Sequence, residues 1–175
     1  MTEAPRHPRQ LGRHLGQALF AALFLGLLFL RLMPLAPGRM VWPGPDLALC
    51  LALAWILRRP DQAPVLLIAA LFLIEDIMLW RPPGLWTAII VIGTEAARKR
   101  EGHWRELPFV VEWMRVALLV GLMVLMNRFL LSLFLAPLPS LGQALMQYLA
   151  TVATYPLVAG LLRWPLGLRR APTET

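Results

Sequence analysis

Two adjacent carboxylates, Glu75 and Asp76, stand inside the apolar run Leu71-Phe72-Leu73-Ile74-Glu75-Asp76-Ile77-Met78-Leu79-Trp80. No other feature of the chain restricts its fold as much. An ionised carboxylate surrounded by hydrocarbon costs roughly a few kcal/mol or more, so it faces a protein interior, finds a partner, or takes up a proton. A chain carrying such a pair needs other segments arranged around it.

Those segments are apolar as well. A hydrophobic fraction of 58% with only 15% charged residues describes an integral membrane protein rather than a soluble domain. The 175 residues leave little material outside the apolar runs, so one compact all-α polytopic domain of about six transmembrane helices is expected. It would span residues 15–164, between a flexible basic tail (1–14) and a short C-terminal tail (165–175). A net charge of +7 would point to nucleic acid in a soluble protein, but these arginines lie between and beside apolar runs. They read as topology signals and contacts to anionic lipid headgroups, with no nucleic-acid role expected.

Cys50 is the only cysteine, which removes disulfide frameworks and multi-cysteine metal sites. His7, His14 and His103 are too far apart in sequence to make a helical ligand pair. No cofactor or metal is expected. Ser132 and Ser140 have no histidine in the same membrane region, and no glycine-rich phosphate loop precedes a helix, so nothing argues for an enzyme.

Taken in order, residues 15–30 form an apolar run that reaches bilayer-spanning length if Arg31 snorkels and residues 32–36 are included. A basic start and apolar core also fit a signal peptide, but Leu32-Met33-Pro34-Leu35-Ala36 is a poor small-residue cleavage site. A loop rich in proline and glycine follows, and Asp46 stands in N-cap position before the second segment, 47–57. That segment is only about 16 Å long at 1.5 Å per residue, against a hydrocarbon thickness of about 30 Å. It is either extended by residues 41–46 and Arg58 or shielded by neighbours. After the basic turn Arg58-Arg59-Pro60, the third span covers 63–80 and the short fourth segment 85–97, where Thr87, Gly93 and Thr94 allow close helix approach. Pro108 is a first-turn proline for the fifth segment, 109–136. The last segment, 141–164, contains Pro156, whose ring conflicts with the carbonyl of Val152; a kink is expected, with Thr151 or neighbouring helices satisfying the freed oxygen.

Six spans in alternation with the N-terminus inside place Arg6, Arg9, Arg13, Arg58, Arg59, Arg98, Lys99, Arg100, Arg105, Arg163, Arg169 and Arg170 on the cytoplasmic side. Only Arg31, Arg39 and Arg81 fall outside. The asymmetry predicts cytoplasmic termini. In that arrangement Glu75 and Asp76 lie near the outer end of their span. Neighbouring residues point about 100° apart on a helix, so one of them faces the bundle while the other aims sideways. Arg81 and, at similar depth, Arg128 are the expected partners, in an ion pair that fixes packing; a proton or cation pathway is the less favoured reading because no ionisable group lies at mid-depth. Glu112 and Arg115 are three apart and are read as a local pair, as is Glu95 with Arg98 and Lys99. Trp42, Trp55, Trp80, Trp86, Trp104 and Trp164 fall near span ends, as an interfacial aromatic belt requires.

The order of several features resembles MreD, the small multi-spanning rod shape-determining membrane proteins of bacteria. The likeness is carried by Pro45-Asp46 opening the second span, Trp55 near its end, the turn Arg58 to Pro60, Asp76 in the third span, Gly84-Leu85 after it, and Tyr155-Pro156 in the last. Phe72 departs from the glycine many members carry before the aspartate, and Glu75 is not part of the pattern. The resemblance implies a non-enzymatic component of the cell-elongation machinery in the bacterial inner membrane. Its partners would be the bitopic protein MreC and, indirectly, actin-like MreB filaments and peptidoglycan synthases. Structural or partner-binding roles then fall to Asp46, Trp55, Glu75, Asp76, Gly84, Arg128 and Pro156. The family is also distantly similar to the six-helix substrate-binding subunits of energy-coupling-factor transporters. That likeness supplies a fold expectation and a rival function, a vitamin-type transporter subunit with a solute cavity. An ion-coupled carrier, in which Asp76 or Glu75 titrates, is the third class.

Overall fold

The computed structural model describes residues 8–33, 44–99, 108–135 and 137–163, and among them the only regular structure is helical. Six α-helices follow in order: α1 (Pro8–Leu32), α2 (Leu47–Ile56), α3 (Val65–Met78), α4 (Leu85–Lys99), α5 (Phe109–Leu133) and α6 (Leu141–Arg163), with a short 3-10 turn at Pro60–Gln62 between α2 and α3. Residues 1–7 of the expected N-terminal tail, the whole expected C-terminal tail (165–175), the 34–43 loop and most of the charged stretch 98–106 lie outside the described residues.

The centre of the bundle is α2. Every side chain from Ala48 to Ile56 is buried, because α1, α4 and α6 pack around it. At ten residues it is about 15 Å long, half the hydrocarbon thickness. Shielding by neighbours is thus how so short an apolar helix is accommodated. α1 presents Phe20, Phe24 and Leu28 inward at four-residue intervals, one helical stripe. Phe20 lies 5.5 Å from the Trp55 ring, and Phe24 meets Phe72 edge-on at 4.8 Å. Such tilted and edge-to-face pairs add about 0.5–1.5 kcal/mol beyond burial. Phe72 therefore fills the space that glycine would leave open.

α3 and α4 form a hairpin, and α5 packs on α4 and α6. Gly93 allows the α4–α5 approach, since a Cβ there would meet the Met123 side chain. α3 stops at Met78, earlier than residue 80, through a Schellman closure. Arg81 N–H donates to Asp76 O (3.0 Å) and Trp80 N–H to Ile77 O (3.3 Å), with Trp80 left-handed at φ 54°. Gly84, at φ 86°, then reverses the chain into α4.

Three helices, α1, α5 and α6, are long and apolar enough to cross a membrane; α2, α3 and α4 are shorter than the bilayer core. Met114, Leu118, Leu122, Leu125 and Phe129 make an exposed apolar stripe down α5. Facing water, a stripe of this extent would drive association; facing lipid, it is at equilibrium.

Several boundaries differ from expectation. α1 begins at Pro8, so residues 8–14 of the expected tail are its first turns: proline at a first helical position lacks only a donor that is unsatisfied there anyway. Pro108 is the N-cap of α5, one residue before its first turn. Trp55 and Trp86 are buried and do not join an aromatic belt, whereas Trp80 is almost fully exposed. Trp42, Trp104 and Trp164 lie outside the described residues.

Candidate functional site: charge clusters at the two ends of the central helix

Asp46 caps α2 as its position predicts. Its Oδ1 accepts from Leu49 N–H at 3.1 Å, and its own N–H donates to Thr151 Oγ1 of α6 at 2.9 Å. Arg31, one turn beyond the inward stripe of α1, reaches across to Glu75 (Nη1 to Oε1 2.6 Å) and stands 3.8 Å from Asp46 Oδ1. Arg81 completes this cluster, 4.0 Å from Glu75. Asp46 and Glu75 are buried, and both arginine side chains keep 29% of their surface exposed, so the cations reach in from the rim.

Asp76 faces elsewhere. Its Oδ2 accepts from Gly84 N–H (3.1 Å), Thr87 N–H (3.1 Å) and Thr87 Oγ1–H (2.8 Å). Gly84 O accepts the first helical bond of α4, from Ala88 N–H, which makes Gly84 its N-cap and Thr87 the third residue of its first turn. A glycine N-cap has no side chain to offer, so the carboxylate of the preceding helix supplies the capping oxygen.

Both carboxylates are fully buried, contrary to the expectation that one would aim sideways. The angle between them is absorbed because α3 has a protein neighbour on each side: Glu75 turns to α1 and Asp76 to the start of α4. Arg128 is not their partner; its Nη1 donates to Pro139 O at 2.9 Å in the α5–α6 turn. Arg31 takes that role, and the missed signal was its phase on the Phe20, Phe24, Leu28 stripe.

A second cluster closes the other end of α2. Arg58, read from sequence as a topology signal in a turn, is buried, donating from Nη1 to Ala54 O (2.9 Å) with Nη2 3.5 Å from Glu112 Oε1. Tyr155 O–H donates to the same Glu112 oxygen at 2.7 Å. Glu112 is thus tied to α6 and the end of α2, beyond any local pairing with Arg115. Glu95 and Arg98 do pair as expected, at 2.9 Å, and Arg98 also donates to the carbonyls of Pro60 and Ala63, holding the 3-10 turn. Pro156 lies inside an α6 that continues through it, and the indole N–H of Trp113 donates to Val152 O at 2.9 Å. That carbonyl is the one a proline at 156 deprives of its helical donor. A neighbouring helix supplies the replacement, while Thr151 donates to Gln147 O instead.

Beside the Asp46 cluster, α2, α4, α5, α6 and the turn after α3 enclose a cavity of about 360 Å³. Leu49, Val120 and Val124 make part of its apolar wall, and Asp46, Arg81 and Arg128 border it.

An all-helical fold with three helices long and apolar enough to cross a membrane is compatible with a helical membrane bundle. No family model, no curated protein and no solved structure matches the chain.

Proposed function

We propose that the protein is a non-enzymatic inner-membrane scaffold of the bacterial cell-elongation machinery, an MreD-like partner of an MreC-like bitopic protein. It would connect that partner, and through it MreB filaments and peptidoglycan synthases, to the lateral wall. The observation that supports this reading is a convergence. The residues carrying the resemblance are scattered from Pro45 to Pro156, yet most of them meet at the ends of α2 or in the α3–α4 turn. Asp46 caps α2, Trp55 packs within its core, Arg58 and Tyr155 share Glu112, and Asp76 caps α4 over Gly84. The hydrogen bonds of Asp46, Arg58, Tyr155 and Asp76 named above join separate helices within the protein, as holding a helix arrangement for a partner requires. The distribution of basic residues favours cytoplasmic termini, with the basic face toward anionic headgroups and cytoplasmic partners.

The test is tagged purification from the native membrane in mild detergent, alongside deletion of the gene. Recovery of a bitopic membrane partner and rounding of the cells are expected. Recovery of no transmembrane partner, together with unchanged cell shape, would overturn the assignment.

A further inference from the structure

The hairpin of α3 and α4 leaves one apolar face uncovered. On α3 that face carries Leu66, Ala70, Leu73 and Ile77, and on α4 Ala88 and Ile92, all exposed and spaced by three or four residues as one helical stripe requires. The two helices have 14 and 15 residues, about 21 and 22 Å at 1.5 Å per residue. α5 and α6, with 25 and 23 residues, reach about 37 and 35 Å. A hydrocarbon core of roughly 30 Å suits the long helices once tilted, but exceeds the hairpin by roughly 8 Å, and tilting only shortens its span further. Neither hairpin helix can grow to make up the difference. Arg98 ties one end to the carbonyls of Pro60 and Ala63, and the amide of Arg81 closes the other on Asp76 O. α2 is shorter still, but its side chains are buried by neighbours, whereas this face is open.

The ends of the short belt identify what lies against it. Trp80 is 97% exposed, so its indole packs on nothing in the protein, and it is held at φ 54°, a conformation costly for any residue with a Cβ. At the opposite end Lys99, also exposed, finishes α4. An apolar stripe with tryptophan at one end and lysine at the other suits phospholipid, the indole in the interfacial layer and the ammonium beside phosphate.

We propose that the α3–α4 face lies against a locally thinned bilayer and collects phospholipids with short acyl chains, Trp80 and Lys99 seated in the two headgroup layers. α5 and α6 meet a bilayer of ordinary thickness, so the chain-length preference belongs to one face of the protein. The inference uses the hairpin and the membrane setting alone. Its failure leaves the elongation-scaffold reading untouched.

Bromolipid quenching in vesicles tests it on the full-length protein. Ile92→Cys on the hairpin face and Leu149→Cys, exposed on α6, each receive a bimane label; Cys50 is buried, and the unsubstituted chain gives the labelling background. Brominated dioleoylphosphatidylcholine is then competed with dimyristoleoyl- or dierucoylphosphatidylcholine. At Ile92→Cys the short-chain lipid should be favoured over the long-chain one at least about threefold, with no such preference at Leu149→Cys. Circular dichroism and size-exclusion profiles identify a misfolded variant, and Leu73→Cys then replaces Ile92→Cys. Equal chain preference at the two positions, a long-chain preference on the hairpin, or a hairpin label that no bromolipid quenches, as when a second protein copy covers it, overturns the proposal.

Discussion

Replacing Asp76 with alanine isolates the interaction that joins α3 to α4. The carboxylate accepts three hydrogen bonds, two from backbone amides and one from a hydroxyl. The Thr87 hydroxyl can rotate to another acceptor, but the amides cannot move without unwinding α4. Thr87 is buried, so its stranded N–H carries a desolvation cost of about 2 kcal/mol; Gly84 is half-buried and its N–H, partly hydrated, costs about 1 kcal/mol. The sum is a loss of about 3 kcal/mol, near the combined size of an N-cap and one orphaned amide. Glu75→Ala should lose only about 1 kcal/mol, because Arg31 is partly exposed and already lies 3.8 Å from Asp46, to which it can turn. The difference of about 2 kcal/mol is roughly 30-fold in the unfolding equilibrium. Steric trapping in mixed micelles measures it directly, with Asp76→Asn, which keeps an acceptor oxygen, expected near 1 kcal/mol. A double-mutant cycle with Thr87→Val should show coupling of about 0.5–1 kcal/mol through the lost hydroxyl. Equal losses for Asp76→Ala and Glu75→Ala, or strict additivity with Thr87→Val, would refute the capping argument.

Two further perturbations probe the other end of the bundle. Trp113→Phe replaces the indole by a smaller phenyl and strands Val152 O, and should cost about 1–2 kcal/mol; adding Pro156→Ala restores the helical donor to that carbonyl and should recover the hydrogen-bond part of the loss in the same unfolding assay. Tyr155→Phe removes the hydroxyl that donates to Glu112, leaving a buried carboxylate oxygen with Arg58 at 3.5 Å, and should destabilise by about 1–2 kcal/mol, whereas Tyr148→Phe, half-buried against Ala117 O, should cost less.

How far these interactions could be read from sequence depends on whether the partner is a residue type or a backbone atom. The Asp46 cap was legible because a proline-glycine loop, an acceptor side chain and an apolar run follow one another locally. Asp76 stood out as a buried carboxylate, but its partners are mainly amides of the next helix, which no residue letter reveals. Depth along the membrane selected Arg128 as the ion-pair partner, whereas helical phase on α1 points to Arg31. Nearness to a span end points Trp55 to the interface, yet it is buried. An all-apolar helix such as α2 has no polar face, and hence no phase to say that its tryptophan turns inward. Arg58, Glu112 and Tyr155 come from three separated segments, 54 and 43 residues apart across their contacts with Glu112, and only the assembled bundle brings them together.

The dependence of α2 on α6 also sets a timetable for synthesis. The amide of Asp46 finds its acceptor in Thr151, 105 residues later, and the Cys50 thiol donates to the carbonyl of the same residue. At roughly 5–20 residues per second, the ribosome needs about 5–20 s between making the two. Throughout that interval the central helix is too short to hold a place in the bilayer alone, and its polar ends await their lids. A nascent chain paused before α6 is therefore the form in which membrane chaperones and proteases would meet this protein.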